Sequence, residues 1–134
     1  MAYRVYLVDD DRFLLDLYAV KFRNAGHEVS VFGSGEDLLT ALRKGEPAPD
    51  AILLDLIMPG VGGFEALETM RKENLAKSSK VIILSNQGQD SDIEKAKQLF
   101  ADGYIIKASA IPSEVLAETL RTIETGAQGA GQSS

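Results

Sequence analysis

The residues with chemical potential in this chain are carboxylates that end apolar runs, joined by one hydroxyl and one ammonium. Ala51-Ile-Leu-Leu54 is a short continuous apolar run, closed by Asp55 and then by Met58-Pro59-Gly60, so a buried strand must stop there and a loop begin. Asp55 therefore stands at the C-terminal end of a strand, the edge at which open α/β sheets bind ligands. A single Asp there could equally cap the next turn. Its company decides otherwise: Asp9 and Asp10 follow the first apolar run, Ser85 the fourth and Lys107 the fifth. Carboxylates brought together repel one another unless a cation neutralises them. Mg2+ suits an oxygen-only donor set, with Mn2+ as a substitute, and no Asp-x-Asp-x-Asp-Gly loop speaks for Ca2+. A divalent ion, the Lys107 ammonium and the Ser85 hydroxyl together match the equatorial oxygens of a phosphoryl group in transfer, with Asp55 as nucleophile and an aspartyl phosphate as product.

Elements that would place these groups follow from the periodicity. Val5 to Val8 reads as a first strand, and Leu14, Leu17, Tyr18, Phe22 and Ala25 as the apolar face of a helix capped by Asp11 and stopped by Gly26. Glu28 to Phe32 is a second strand. Ser34 opens a helix carrying Leu38, Ala41 and Leu42 inward, and Phe64, Leu67 and Met70 mark the next. Val81 to Leu84 is the fourth strand. Ser91-Asp-Ile-Glu94 predicts a capping box before Ile93, Ala96, Leu99 and Phe100. Tyr104 to Ile106 is the fifth strand, and a last helix begins near Pro112, buries Leu116, Leu120 and Ile123, and stops at Gly126. Five βα repeats predict a parallel sheet with helices on both faces in one domain, residues 1–126, followed by a disordered tail or linker, 127–134.

Composition removes several classes of function. The 134 residues hold no cysteine, which excludes thiol chemistry and disulfides, and a single histidine, His27, leaves no imidazole for a Ser-His-Asp arrangement. His27 follows a glycine turn and is expected at the surface without a role. With 14 Lys plus Arg against 20 Asp plus Glu, net charge −6, and no basic run, direct nucleic-acid binding is not expected. No apolar stretch approaches the ~20 residues of a membrane span. The expected location is the cytoplasm, with no membrane contact.

Val8-Asp9-Asp10, Leu54-Asp55-Leu-Ile-Met-Pro-Gly60, Ser85 and Tyr104-Ile-Ile-Lys107 together resemble the signature regions of response-regulator receiver domains of two-component signalling. The resemblance implies a flavodoxin-like (βα)5 sheet in the order 2-1-3-4-5, an order that general accounts of the fold illustrate with a chemotaxis receiver. It further implies phosphoryl transfer to Asp55 from a histidine kinase or phosphotransfer protein, direct Mg2+ ligation by Asp10, ligation through water by Asp9, and a backbone carbonyl ligand from Ile57. By the same resemblance, Ser85 would close on the phosphate and Tyr104 would follow, altering the surface of the fourth helix, fifth strand and fifth helix for an unidentified downstream target protein. A phosphorylation-dependent homodimer fits this scheme. Such a protein is no conventional enzyme, yet it catalyses its own phosphorylation from phosphohistidine and its own dephosphorylation. Two departures stand out. Ala108 follows Lys107 where receivers usually carry Pro, and Asn86 follows Ser85 where they usually carry a smaller residue.

Other readings are a receiver-like protein-binding module that works independently of phosphorylation and an aspartyl-nucleophile, Mg2+-dependent phosphatase. The second needs a further acid where Ile57 stands, and the first leaves the full acidic and Lys set without purpose. A flavin site would require a phosphate-cradling loop after the first strand, where three acids stand instead.

Overall fold

Four of the five strands are continuous apolar runs or nearly so, which suits burial on both faces, and the helices between them carry apolar stripes that cover the sheet. A computed structural model describes residues 2–45, 47–86 and 88–129, except the side chains of 126–129. The element order is β1 (Arg4–Val8), α1 (Arg12–Asn24), β2 (Glu28–Phe32), α2 (Gly35–Arg43), β3 (Ala51–Leu54), α3 (Gly63–Lys72), β4 (Lys80–Ser85), α4 (Asp90–Gln98), β5 (Gly103–Ile106) and α5 (Pro112–Gly129), with a 3-10 turn over Lys107–Ser109. The strands form one parallel sheet in the order β2-β1-β3-β4-β5.

Alternation along the strands divides the core in two. Val5, Leu7, Leu53, Ile82 and Leu84 face α1 and α5, while Tyr6, Val8, Ile52, Leu54 and Ile83 face α2, α3 and α4. The central strand β3 is buried throughout. Register then fixes function: Val8 pairs with Leu54, and Leu54 with Ile83, so the residues that follow β1, β3 and β4 emerge at one edge.

Several details depart from the sequence reading. In α1 the buried stripe is Leu15, Tyr18, Ala19 and Phe22, rotated from the expected one, and Leu17 is 43% exposed. The Asp11 cap is as expected, its carboxylate accepting from the Leu14 amide at 3.2 Å. Helix α4 starts at Asp90 behind Gln89, which makes no side-chain cap, so the Ser91 box does not form the start. Of its four expected core residues only Ala96 is buried, and Phe100 is outside. The buried residues of α5 include Val115, Thr119 and Ile123, with Leu116 and Leu120 at the flanks. The helix does not stop at Gly126 but continues to Gly129, so residues 127–129 of the expected 127–134 tail are helical, and 130–134 lie outside the described residues. His27 is buried, not solvated: it accepts the Tyr3 amide at Nδ1, 3.0 Å away, and stacks on the Tyr3 ring. It is a core residue, and the Gly26 turn at φ 95° delivers it there.

Candidate functional site

At the C-terminal edge of the sheet, β1 and β3 each end by handing a carboxylate to the same crevice. Asp9 and Asp55 extend the strand hydrogen bonding, Asp9 N to Phe32 O at 3.1 Å and Asp55 N to Val8 O at 3.0 Å, so their backbones are fixed by the sheet itself. Asp10 begins the loop into α1 and is exposed. Carboxylate oxygens of Asp9, Asp10 and Asp55 all lie within 4.8 Å of one another.

Turn chemistry after β3 keeps Asp55 in place. Gly60 adopts φ 76°, a conformation that strains other residues. A Cβ on Gly63 would collide with the Asp55 carbonyl oxygen and lie 2.9 Å from Leu56 Cα, so α3 can start this close to β3 only with glycine there. The Gly63 amide closes the turn onto Leu56 O at 2.9 Å.

From the far side Lys107 enters, brought by the end of β5. Its Nζ lies 2.5 Å from Asp9 Oδ2 and 3.4 Å from Asp55 Oδ1, with both pairs nearly shielded from water. Asp9 Oδ1 also accepts the Asp11 amide at 2.9 Å. Burial and the neighbouring Asp9 charge push the Asp55 carboxyl up to about 6, against the opposing pull of Lys107. Burial works against the Lys107 charge, but the Asp9 and Asp55 carboxylates outweigh it and raise its pKa. One ammonium thus serves two acids and leaves a third beside them, an excess of negative charge that a cation would relieve.

Ser85, Asn86, Ile57 and Leu14 line the same cavity of about 310 Å³ with the three acids and Lys107. Every site residue expected from sequence lies there except Tyr104. Tyr104 sits half-buried on β5, packed on the α4 side of the sheet, with its phenol pKa raised by burial and by Asp92. Leu14 is the residue that sequence reading assigned to the core and missed at the site, because a helical stripe does not reveal which turn meets a cavity. The Lys107-Ala108 segment enters the 3-10 turn, and no cis peptide bond occurs among the described residues. Oxygen donors in this number and spacing fit a hard divalent cation such as Mg2+.

Comparisons with known proteins agree with this geometry. A family model described as response regulator receiver domain matches residues 5–121. The DNA-binding response regulator MtrA of Mycolicibacterium paratuberculosis is 32% identical over 117 residues, 87% of this chain and 49% of MtrA, so the chain spans about half the length of that relative. Protein PilH of Pseudomonas aeruginosa is 28% identical over 123 residues, covering 92% of this chain and 98% of PilH. Among solved structures, the BeF3-activated DrrB receiver domain superimposes with TM-score 0.77 at 28% identity, covering 92% of this chain and 99% of that one. The chemotaxis protein CheY4 of Vibrio cholerae, at 24% identity and TM-score 0.81 over 91% of this chain and 99% of its own, shares the fold. No helix among the described residues is long and apolar enough to cross a membrane.

Proposed function

The chain belongs to the response-regulator receiver family, and from that premise we propose that it accepts a phosphoryl group on Asp55 from a phosphohistidine of a histidine kinase or phosphotransfer protein. The supporting observation is the position of Asp55: a strand-end carboxylate, 6% exposed, facing two further acids and 3.4 Å from the Lys107 ammonium. With its pKa near 6, Asp55 is mostly ionised at neutral pH and retains nucleophilic character.

In the transfer, an Asp55 carboxylate oxygen attacks phosphorus. A P–O bond forms as the P–N bond to the donor imidazole breaks, the electron pair leaves on nitrogen, and that nitrogen takes a proton from solvent. Asp10 would hold Mg2+ directly, Asp9 through water and Ile57 through its carbonyl; the bound ion supplies charge neutralisation to the phosphoryl oxygens. Lys107, fixed between Asp9 and Asp55, provides a second positive charge that needs no reorganisation. Ser85, 1% exposed at the end of β4, provides a hydroxyl toward the phosphorylated carboxylate. Hydrolysis of the acyl phosphate by water resets Asp55. Ser85 movement followed by Tyr104 would alter the face made by α4, β5 and α5 for a downstream protein or for a second copy of the chain.

A test uses a promiscuous histidine kinase with Mg2+ and intact-mass detection. Wild type should gain one phosphoryl group and Asp55→Asn none. Equal labelling of the variant would remove the assignment. Ser85→Ala should still be labelled but lose the phosphorylation-dependent change in amide exchange of α4 and α5, and a full wild-type response there would sink the switch.

A further inference from the structure

A larger cavity than the acidic one, about 410 Å³, opens at the opposite edge of the sheet, between the end of α3, the α3–β4 loop and the turn from α4 into β5. Its charge has the opposite sign. Arg71, Lys77 and Lys80 line it against one acid, Asp102, whose carboxylate is already engaged by the Val81 amide at 2.8 Å. Among the described residues no carboxylate pairs with any of the three cations. The nearby acid Glu73 is held by Arg43 at 2.7 Å. Arg71 is fixed rather than floppy, since its Nε donates to Leu99 O and its Nη2 to Phe100 O, both at 2.9 Å. Carbonyl acceptors orient a guanidinium without cancelling its charge.

Two helices, α3 and α4, end at the same place. The three non-glycine residues with positive φ among the described residues are Asn74, Ala76 and Phe100, at 57°, 51° and 63°. Asn74 and Phe100 line this cavity, and Ala76 stands between the lining residues Leu75 and Lys77. Asn74 and Phe100 directly follow the C-caps of α3 and α4, the usual left-handed position at a helix end, where the Leu75 amide returns to Met70 O and the Ala101 amide to Ala96 O, both at 2.9 Å. At Phe100 the outcome is an aromatic ring 75% exposed at the rim instead of packed in the core.

We propose that this cavity binds a small phosphorylated aromatic molecule of the nucleoside monophosphate class, its phosphate taken by Lys77, Lys80 and the pre-oriented Arg71 and its flat ring laid against Phe100. Cations without acid partners recognise phosphate, and aromatic side chains give bases a sequence-tolerant stacking surface. Without a divalent cation the acidic cavity at the other edge repels the same ligand, so magnesium-free buffer leaves only this site open to it. Phe100 belongs to the turn that ends α4, and Arg71 of α3 is hydrogen-bonded to the carbonyls of that turn, which places the ligand in contact with both helices.

The test is amide chemical-shift titration of the full chain in magnesium-free buffer, with AMP and inorganic phosphate as probes. Saturable shifts should be confined to residues 71–80 and 99–103, with AMP binding about tenfold more tightly than phosphate. Lys77→Ala with Lys80→Ala should weaken AMP about tenfold while the melting temperature stays unchanged, and Phe100→Ala should reduce AMP to the phosphate level. Absence of saturable shifts, AMP and phosphate of equal affinity, or AMP binding that survives the lysine double variant would each overturn the proposal.

Discussion

Both edges of the sheet carry aspartates at strand ends, and they are used in opposite ways. At the N-terminal edge, Asp50 Oδ2 accepts the Arg4 amide at 2.8 Å while its own amide donates to Arg4 O at 2.7 Å; Asp102 does the same with Val81, at 2.8 and 2.7 Å. Each of these carboxylates closes a strand on its own. At the C-terminal edge, Asp9, Asp10 and Asp55 face one another within 4.8 Å, and the cation between them is a single lysine. A carboxylate held by the amide of the adjacent strand, with no other charge against it, is scaffold. Carboxylates gathered against each other weaken the fold until a cation arrives, which is the form that a metal-assisted phosphoryl site takes.

Removing the cation should expose this difference most sharply. Lys107→Ala in metal-free buffer leaves buried acids unpaired and should cost about 3 kcal/mol, the usual order for breaking a buried pair. Mg2+ should restore part of that loss in denaturant melts. A variant as stable as wild type without metal would mean that the C-terminal acids do not repel.

Asp55 gives a smaller, pH-dependent effect. Its folded pKa, about 6, lies above the ordinary 3.8, so the folded chain holds this proton more tightly than the unfolded chain. That contribution is fully present below 3.8 and is lost as pH rises through 6. Metal-free wild type should therefore be less stable than Asp55→Asn above pH 6, by on the order of 2 kcal/mol, and the gap should close as pH falls below 4. Parallel stability curves for the two proteins across that window would contradict the shift.

The N-terminal edge provides the control. Asp102→Ala strips the Val81 amide of its partner and should destabilise by about 1–2 kcal/mol, equally with and without Mg2+. A loss that Mg2+ could repair would break the distinction between the edges.

The sequence reading reached the C-terminal edge more completely than the helices, and for a physical reason. A parallel strand fixes where its last residue goes, so Asp9, Asp55, Ser85 and Lys107 could be placed once β1, β3, β4 and β5 were recognised as short apolar runs. Helix faces are set by packing. A stripe read at helical spacing tolerates rotation by one residue, and so Leu15 and Ala19 are buried where Leu17 and Ala25 were expected. Phe100 illustrates the same limit, since apolar character predicts burial and a left-handed backbone turns it outward. His27 was read from its Gly neighbour alone, and its partner, the Tyr3 amide, is 24 residues away in sequence. Asp102 carried no chemical motif, and its amide partner on β4 becomes apparent only once β5 is placed beside that strand.

The smallest expected effect separates repulsion from ligation at one residue. Asp10 is the exposed member of the acidic set, so its repulsion with Asp9 and Asp55 is partly screened by water and is worth on the order of 0.5 kcal/mol. Asp10→Asn should accordingly melt slightly higher than wild type without metal, opposite in sign to the loss at Asp102. Mg2+ then reverses the ranking. At ten times its dissociation constant, an ion that binds the folded site and not the unfolded chain adds roughly 1.4 kcal/mol to wild type, whereas Asp10→Asn, lacking a direct ligand, should gain little. Thermal melts at constant ionic strength, with Mg2+ or with an equivalent monovalent salt, measure both terms in one experiment. If both proteins respond to Mg2+ alike, Asp10 is not a ligand and the acids at this edge repel without sharing an ion. If neither responds at millimolar Mg2+, the contrast between the edges is one of hydrogen bonding alone, and the proposed phosphoryl transfer loses the charge neutralisation on which it depends.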